Sequence, residues 1–152
     1  MPFFTLPLQQ SGSMGAIVHA RVGVSAPKKE ALIKANQAVP NVFQIRALID
    51  TGASGTCLDP MVLTALALEP TGKATVNTPT TGDRPEIKDQ YDISLMIPGA
   101  LATTPPLVID NLAVISAELF AQQRFHALLG MDVLGMCLFV LNGQTRQFSL
   151  SY

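Results

Sequence analysis

Charge is scarce in this chain. Of its 152 residues only 14% are charged, against about 25% in a typical soluble domain. The formal net charge is −1 and the lysines and arginines form no run, which argues against nucleic acid as a ligand. A small domain with so few charges cannot cover its whole surface with them. We therefore expect some apolar surface to be buried against a partner.

Cysteine and histidine are equally rare, with two of each, and tryptophan is missing. Cys57 and Cys137 are too few for a disulfide framework, which predicts reduced thiols and a cytoplasmic location. His19 and His126 lack the neighbours of a zinc site, so no metal or cofactor is expected. No apolar stretch reaches the roughly 18 residues of a membrane helix, and the first residues lack the positive charge of a signal peptide. No membrane partner is expected.

What is present is a series of short strand patterns. Apolar and polar residues alternate in residues 16–25 and 91–97, and the apolar positions of each stretch share one face. The chain ends in two strand patterns joined by Asn142-Gly143, a pair that suits a type I′ hairpin turn. Many short strands with few helices predict an all-β fold for residues 16–152. Residues 1–15 have little pattern and are interpreted as an N-terminal arm.

Few helices are predicted, one or two short ones at most. Asp59 directly precedes Pro60, which is typical of an N-cap followed by proline at the first helical position. A second short helix is expected where residues 127–136 pass through Gly130. Residues 26–41 are polar, and their composition leaves open whether they form a short surface helix or an insertion.

Three motifs carry the chemical interpretation. Residues 47–54 read "ALIDTGAS", with Asp50 directly after an apolar strand. Residues 127–134 read "ALLGMDVL". Between them lies a glycine-bearing hairpin pattern around Gly82 that ends in "IKDQYDISL". In order and spacing the three resemble the catalytic loop, the supporting segment and the flap of retropepsin-like, single-lobed aspartic proteases. The resemblance covers roughly residues 16–152 and is greater to the bacterial and cellular members than to the viral ones.

The resemblance implies a retropepsin-like closed β-barrel, the acid protease fold, with its active site at a homodimer interface. Asp50 would be catalytic in an active-site loop formed by Thr51, Gly52, Ala53 and Ser54. The flap that closes over a peptide substrate would carry Thr80, Thr81, Gly82 and Asp83. The supporting segment would be Leu129, Gly130 and Asp132.

Individual roles within these motifs stay open at the level of sequence. Ser54 is at least as well suited to bracing the loop as to contacting the substrate. Gly82 is suited to a simple turn as well as to the tip of the flap. Asp132 is best interpreted as a helix-start carboxylate. Viral relatives usually carry arginine at the position of Met131, where it braces the catalytic loop. That brace is missing here.

The number of aspartates in the catalytic motif predicts a homodimer. Aspartic protease chemistry needs two carboxylates about 3 Å apart that share one proton and act as base and acid, and these enzymes are the standard case of that effect. Of the seven aspartates, Asp50 is the only one that precedes Thr-Gly or Ser-Gly. One chain therefore supplies half a site, and a two-fold homodimer is the simplest way to complete it.

The predicted function is that of an aspartic endopeptidase acting on extended peptides. One alternative is a non-catalytic peptide-binding dimer that keeps the protease fold, and another is a monomeric scaffold. A cysteine nucleophile at Cys57 is a further hypothesis, but neither His19 nor His126 lies in a recognisable cysteine-protease context.

Overall fold

The computed structural model describes residues 1–11, 13–77 and 84–152. In these residues the chain forms twelve strands and four short helices. The strands are β1 Phe3–Pro7, β2 Gln9–Ser11, β3 Ser13–Gly15, β4 Ile17–Val24, β5 Phe43–Ile49, β6 Cys57–Leu58, β7 Gly72–Val76, β8 Glu86–Ile97, β9 Leu107–Ser116, β10 Ala127–Leu129, β11 Leu138–Asn142 and β12 Gln147–Ser151. The helices are α1 Ala26–Lys34, α2 Pro60–Ala65, α3 Phe120–Gln123 and α4 Met131–Leu134, two more than the sequence predicts at most.

Six of the strands close into a barrel. They follow one another in the order β4-β5-β10-β6-β9-β8, and β8 pairs back with β4. The seventh strand of this sheet, β7, pairs only with β8 and forms a hairpin with it. Closure removes the free edges that an open sheet of this size presents to solvent. The predicted all-β closed barrel is confirmed.

The barrel interior is filled by alternate residues of each strand, as the sequence pattern predicts. On β4, Val18, Ala20 and Val22 are buried, whereas His19 and Arg21 are exposed. On β8, the buried residues are Ile93, Leu95 and Ile97. These strands pair directly, with Val22 opposite Leu95, so the two apolar faces meet in one core.

A second, three-stranded sheet has the order β1-β12-β11. The predicted C-terminal hairpin is present, but its predicted type I′ turn is wrong. Asn142 pairs with Gln147, so four residues form the loop instead of two. The Asn142 side chain explains the difference, because its Oδ1 accepts from the backbone N–H groups of Gln144 and Thr145 and stabilises a longer turn. The first strand also belongs here: Phe3 lies opposite Ser151 and Pro7 opposite Gln147.

Residues 26–34 of the undecided segment 26–41 form helix α1, which contains no buried residue. Pro27 occupies its first turn, where a missing N–H costs nothing. The predicted cap of α2 is confirmed: Asp59 Oδ1 accepts from the backbone N–H of Met61 at 2.9 Å, and Pro60 opens the helix.

Asp59 also fixes the start of α3. Its Oδ2 accepts from the backbone N–H groups of Leu119 and Phe120 at 2.9 and 2.7 Å. Burial alone raises the pKa of this carboxyl, but the hydrogen bonds from Phe120, Met61 and Leu119 outweigh it and hold the pKa below its usual value. One buried carboxylate therefore joins two helices.

His126 lies beside this junction, against two aromatic rings. Its ring stacks on Phe120 at 4.5 Å between centroids and meets Phe43 edge-on at 5.8 Å. Its Nδ1 accepts from the backbone N–H of Arg46 at 3.0 Å, a bond that requires an unprotonated Nδ1. Burial lowers the pKa of His126 below the usual 6.5, and the nearby Asp59 opposes that shift only in part.

The free energy of unfolding is expected to decrease as the pH falls below about 6.5, because the unfolded chain then binds a proton at His126 that the folded chain resists. Urea unfolding at about pH 7.5 and about pH 5.5 measures this dependence. The variant His126→Asn, whose Oδ1 can still accept from Arg46, should flatten it. The matched control is His19→Gln, which changes an exposed histidine and should retain the full dependence. Equal slopes in the two variants would contradict the assignment.

Candidate active site

Asp50 directly follows strand β5 of the barrel wall. Strand β5 is paired antiparallel with β4 and parallel with β10, so both of its edges are occupied. Ile49, the last residue of the strand, is buried and lies opposite Leu129. The backbone N–H of Asp50 then donates to the carbonyl of Leu129 at 3.0 Å. The position of Asp50 is therefore set by backbone hydrogen bonds on both sides.

The loop after Asp50 turns sharply and leaves the carboxylate accessible. Asp50 Oδ1 accepts from the backbone N–H of Gly52 at 2.9 Å, and the N–H of Ala53 donates to the Asp50 carbonyl at 3.3 Å. A Cβ at Gly52 would lie 3.3 Å from Asp50 Oδ1, so a side chain there would crowd the carboxylate. Thr51 and Ser54 are exposed, whereas Asp50 and Ala53 are half-buried.

The supporting segment approaches this loop backbone to backbone. The N–H of Met131 donates to the Ala53 carbonyl at 2.8 Å, and that of Asp132 to the Ser54 carbonyl at 3.2 Å. A Cβ at Gly130 would lie 2.5 Å from the carbonyl oxygen of Gly55. Only glycine permits this approach, which gives Gly130 a steric role.

Thr56 is a residue of the site that sequence reasoning missed. It is buried, and its backbone N–H and its hydroxyl donate to Asp132 Oδ2 and Oδ1 at 2.9 and 2.7 Å. The same hydroxyl accepts from the N–H of Gly130 at 3.2 Å. Asp132 also accepts from the N–H of Val133, as a helix-start carboxylate does. Asp132 therefore both begins α4 and braces the loop.

This brace does not use the side chain at the arginine position of the viral relatives. Met131, which occupies that position, is 47% exposed. The sequence signal for this brace is a hydroxyl residue, Thr56, at the end of the loop and an aspartate, Asp132, two residues after Gly130. Sequence spacing alone does not reveal that the two meet.

A row of half-buried residues crosses the barrel wall from the Asp50 loop to β8. Each is the pairing partner of the next across β5, β10, β6, β9 and β8, so their side chains project to one side of the sheet. We call this row the cleft strip: Leu48, Leu128, Cys57, Ile115 and Gln90. Asp50 follows Leu48 by two residues and continues the alternation at the end of the strip. The strip offers an apolar wall beside the carboxylate.

The hairpin of β7 and β8 lies at the far end of the cleft strip. Val76 pairs with Glu86, and the strands run antiparallel down to Gly72 and Gln90. This is the hairpin that the flap interpretation requires. Its predicted tip residues, Thr80, Thr81, Gly82 and Asp83, lie outside the described residues.

Cys57 is poorly suited to be a nucleophile. Burial raises the pKa of its thiol, the Lys88 ammonium opposes this rise, and the Asp132 and Asp50 carboxylates add to it. The Nδ1 of His126 is already bonded to Arg46, and His19 is exposed on β4. A thiol held in its protonated form without a histidine base does not favour the cysteine-protease hypothesis.

Within residues 1–11, 13–77 and 84–152, no three His, Cys, Asp or Glu side chains form a group that could hold a metal ion. In the same ranges, no helix has both the length and the apolar character needed to cross a membrane.

Comparison with known families agrees with the geometry. The aspartyl protease family model matches residues 37–133, which include the Asp50 loop and the segment through Gly130. The chain therefore belongs to the aspartyl protease family. No curated protein matches the sequence.

Solved structures define the fold more closely. A retropepsin-like aspartic protease from Rickettsia conorii superposes with a TM-score of 0.55 at 15% identity, over 99% of this chain and 90% of that one. This likeness confirms the retropepsin-like fold. Two others are more distant. The foamy viral protease–reverse transcriptase in complex with an RNA/DNA hybrid has a TM-score of 0.44 at 14% identity, over 79% of this chain and 12% of that one. The retroviral protease-like domain of Ddi1 from Leishmania major has a TM-score of 0.37 at 9% identity, over 85% and 83%.

The Thr56 hydroxyl is expected to be a major contributor to loop stability. Thr56→Val keeps the shape of the side chain but leaves Asp132 and the N–H of Gly130 without this partner, at a cost of about 2–4 kcal/mol in the free energy of unfolding. Thr56→Ser retains the hydroxyl and should cost about 1 kcal/mol or less. Urea unfolding of the two variants compares them. Equal losses would show that the methyl group, and not the hydroxyl, is what matters at this position.

Proposed function

We propose that this protein is an aspartic endopeptidase that hydrolyses peptide bonds with water activated between the two Asp50 carboxylates of a homodimer. The observation that carries the proposal is the Asp50 carboxylate itself. It is fixed by its backbone to β10, left accessible by the turn at Gly52, and bordered by the apolar cleft strip.

The proposed reaction uses the two carboxylates in turn. The ionised Asp50 takes a proton from water while the water oxygen attacks the scissile carbonyl carbon, and the protonated partner Asp50 gives its proton to the carbonyl oxygen. The now ionised partner Asp50 then takes a proton from the hydroxyl of the tetrahedral intermediate, the C–N bond breaks, and the leaving amine takes up the proton that the first Asp50 removed from water. The shared proton is restored at the end of the cycle, so the pair acts as a catalyst.

The proposed substrate is an extended peptide. Strand-like pairing with the β7–β8 hairpin would fix its backbone, and alternate side chains would fall against the cleft strip. In this proposal Thr80, Thr81, Gly82 and Asp83 close over the peptide as the flap. Thr51 is exposed and available to bond the facing loop of a partner, while Leu129, Gly130 and Asp132 hold the catalytic loop in place.

The three-stranded sheet supplies a candidate dimer surface. Phe3, Leu138 and Val140 are 65%, 56% and 49% exposed. Phe3 and Leu138 both lie opposite Ser151, and Val140 lies two residues further along β11, so the three side chains share one face. Exposed apolar groups on one face of a charge-poor protein favour association.

The final strand does not offer a free edge for interleaving with a partner. Both edges of β12 are occupied within the chain, by β1 on one side and β11 on the other. Self-association through this sheet would therefore use its exposed face or the outer edges of β1 and β11. We also propose a cytoplasmic location, because two cysteines are too few for a disulfide framework.

Asp50→Asn is expected to abolish cleavage while the protein remains folded and associated. The amide cannot take a proton from water, and the loss should reach about a thousandfold. Digestion of a mixed peptide pool by the wild type and the variant measures it, and statine-type mimics should inhibit the wild type. Equal urea midpoints and equal mass in solution serve as controls.

Two outcomes would redirect the proposal. Retained cleavage by Asp50→Asn would reject the carboxylate mechanism. Peptide binding without cleavage by the wild type would favour the alternative, a non-catalytic peptide-binding dimer.

Val140→Glu is expected to weaken the dimer and to lower cleavage in parallel. The substitution buries a charge on the shared apolar face, and a tenfold increase in the dimer Kd corresponds to about 1.4 kcal/mol. Sedimentation measures association over a range of concentrations. Ile33→Glu is the matched control, since Ile33 is also an exposed aliphatic residue, 58% exposed, but lies on α1. A monomeric and fully active Val140→Glu would reject the homodimer.

A further inference from the structure

Lys88 lies next to the cleft strip at the base of the β7–β8 hairpin. It precedes Gln90 by two residues on β8, so alternation places both side chains on the same side of the sheet. Gln90 is paired with Ile115, and Ile115 with Cys57. A cation therefore follows directly after an otherwise uncharged row that begins at the Asp50 loop.

The charges around Cys57 support this placement. The Lys88 ammonium acts on the pKa of the Cys57 thiol, together with the Asp132 and Asp50 carboxylates, after burial as the main cause. The thiol in the middle of the cleft strip thus lies within electrostatic reach of the catalytic loop on one side and of Lys88 on the other.

The Lys88 side chain is half-buried and its ammonium is only loosely paired. Its side chain is 30% exposed, and its ion pair with Glu86 joins Nζ and Oε2 at 3.6 Å, which is longer than a hydrogen bond. Glu86 itself is 54% exposed. By contrast, Lys73 on β7 is 72% exposed and bonds Asp89 at 3.1 Å, and this pair lies on the opposite face of the hairpin.

A peptide bound along the cleft strip would cover Lys88 further. An apolar peptide side chain placed there would remove water from the ammonium without replacing its hydrogen bonds, which costs free energy. A carboxylate side chain would replace water with a charge-assisted hydrogen bond. The same cation thus disfavours one class of peptide and favours another.

We propose that Lys88 is a specificity-determining residue that selects peptides carrying a Glu or Asp side chain where the peptide passes the β8 end of the cleft strip. The inference rests on the proposed function, because it takes the cleft strip to be the wall of the peptide site. It adds the chemical class of one side chain that the substrate presents.

Cleavage of paired fluorogenic peptides tests the proposal. Each pair differs only in Glu for Gln, and the exchange is placed in turn at every position around the cleaved bond. For at least one position the wild type should prefer Glu by about fivefold in kcat/KM, the effect of an ion pair worth about 1 kcal/mol. Lys88→Gln should remove the preference, and Lys88→Glu should reverse it toward peptides with Lys. Lys73→Gln, which removes a lysine from the other face of the same hairpin, should leave it unchanged.

A binding measurement separates this proposal from the proposed function. Fluorescence anisotropy with the same peptide pairs on the Asp50→Asn protein needs no turnover. A Glu preference in binding that Lys88→Gln abolishes would support the role of Lys88 even if the wild type cleaves nothing. Equal affinity and equal cleavage for Glu and Gln at every position in the wild-type protein would overturn it, and so would a preference that survives Lys88→Gln.

Discussion

The hydrogen bond from the backbone N–H of Asp50 to the carbonyl of Leu129 joins the Asp50 loop to the parallel pair of β5 and β10. The backbone N–H groups of Met131 and Asp132 donate to the carbonyls of Ala53 and Ser54 in this loop. At the C-terminal end of the loop, Thr56 donates to the Asp132 carboxylate. Catalysis by a positioned carboxylate requires that the group be held without reorganisation at the moment of reaction. In this chain backbone hydrogen bonds fix the position of Asp50, and its half-buried carboxylate accepts from the N–H of Gly52.

Two properties of the chain agree with the proposal that a single Asp50 is half of a site. The surface carries little charge, and the C-terminal sheet exposes Phe3, Leu138 and Val140 on one face. In an isolated protomer such a face lowers solubility. In a two-fold assembly it becomes the means of bringing the second carboxylate into place. The proposed homodimer thus accounts for both the exposed apolar face and the single Asp50 of each chain.

Local patterns predicted the parts of the structure that local physics determines. Alternation on β4 and β8 identified the core faces, and the Asp59-Pro60 pair identified the start of α2. The loop at Asp50 and the segment at Gly130 were recognised by their resemblance to the motifs of retropepsin-like aspartic proteases. The reason for the alternation and for the Asp59-Pro60 pair lies within a few positions along the chain, whereas Gly130 is required by the carbonyl of Gly55 in a distant segment.

Contacts between distant segments were not predictable in this way. Strand β6 has two residues and β10 has three, which is too few to show an alternating pattern in the sequence. They are strands because they pair with their neighbours in the closed barrel. The pairing of β1 with β12 joins the two ends of the chain, and the Thr56–Asp132 bond joins residues 76 positions apart. The predicted length of the last turn was wrong because the Asn142 side chain accepts hydrogen bonds from the loop backbone. A prediction from the Asn-Gly pair alone does not include those bonds.

The central claim is that each active site needs an Asp50 from two chains, and a mixing experiment tests it most directly. Wild-type protein and the Asp50→Asn variant are combined in varying proportions at constant total concentration and allowed to exchange subunits before cleavage is measured. Because mixed pairs would contain only one working carboxylate, the activity per wild-type chain should fall in proportion to the wild-type fraction. An activity per wild-type chain that stays constant across all mixtures would show that a single chain suffices.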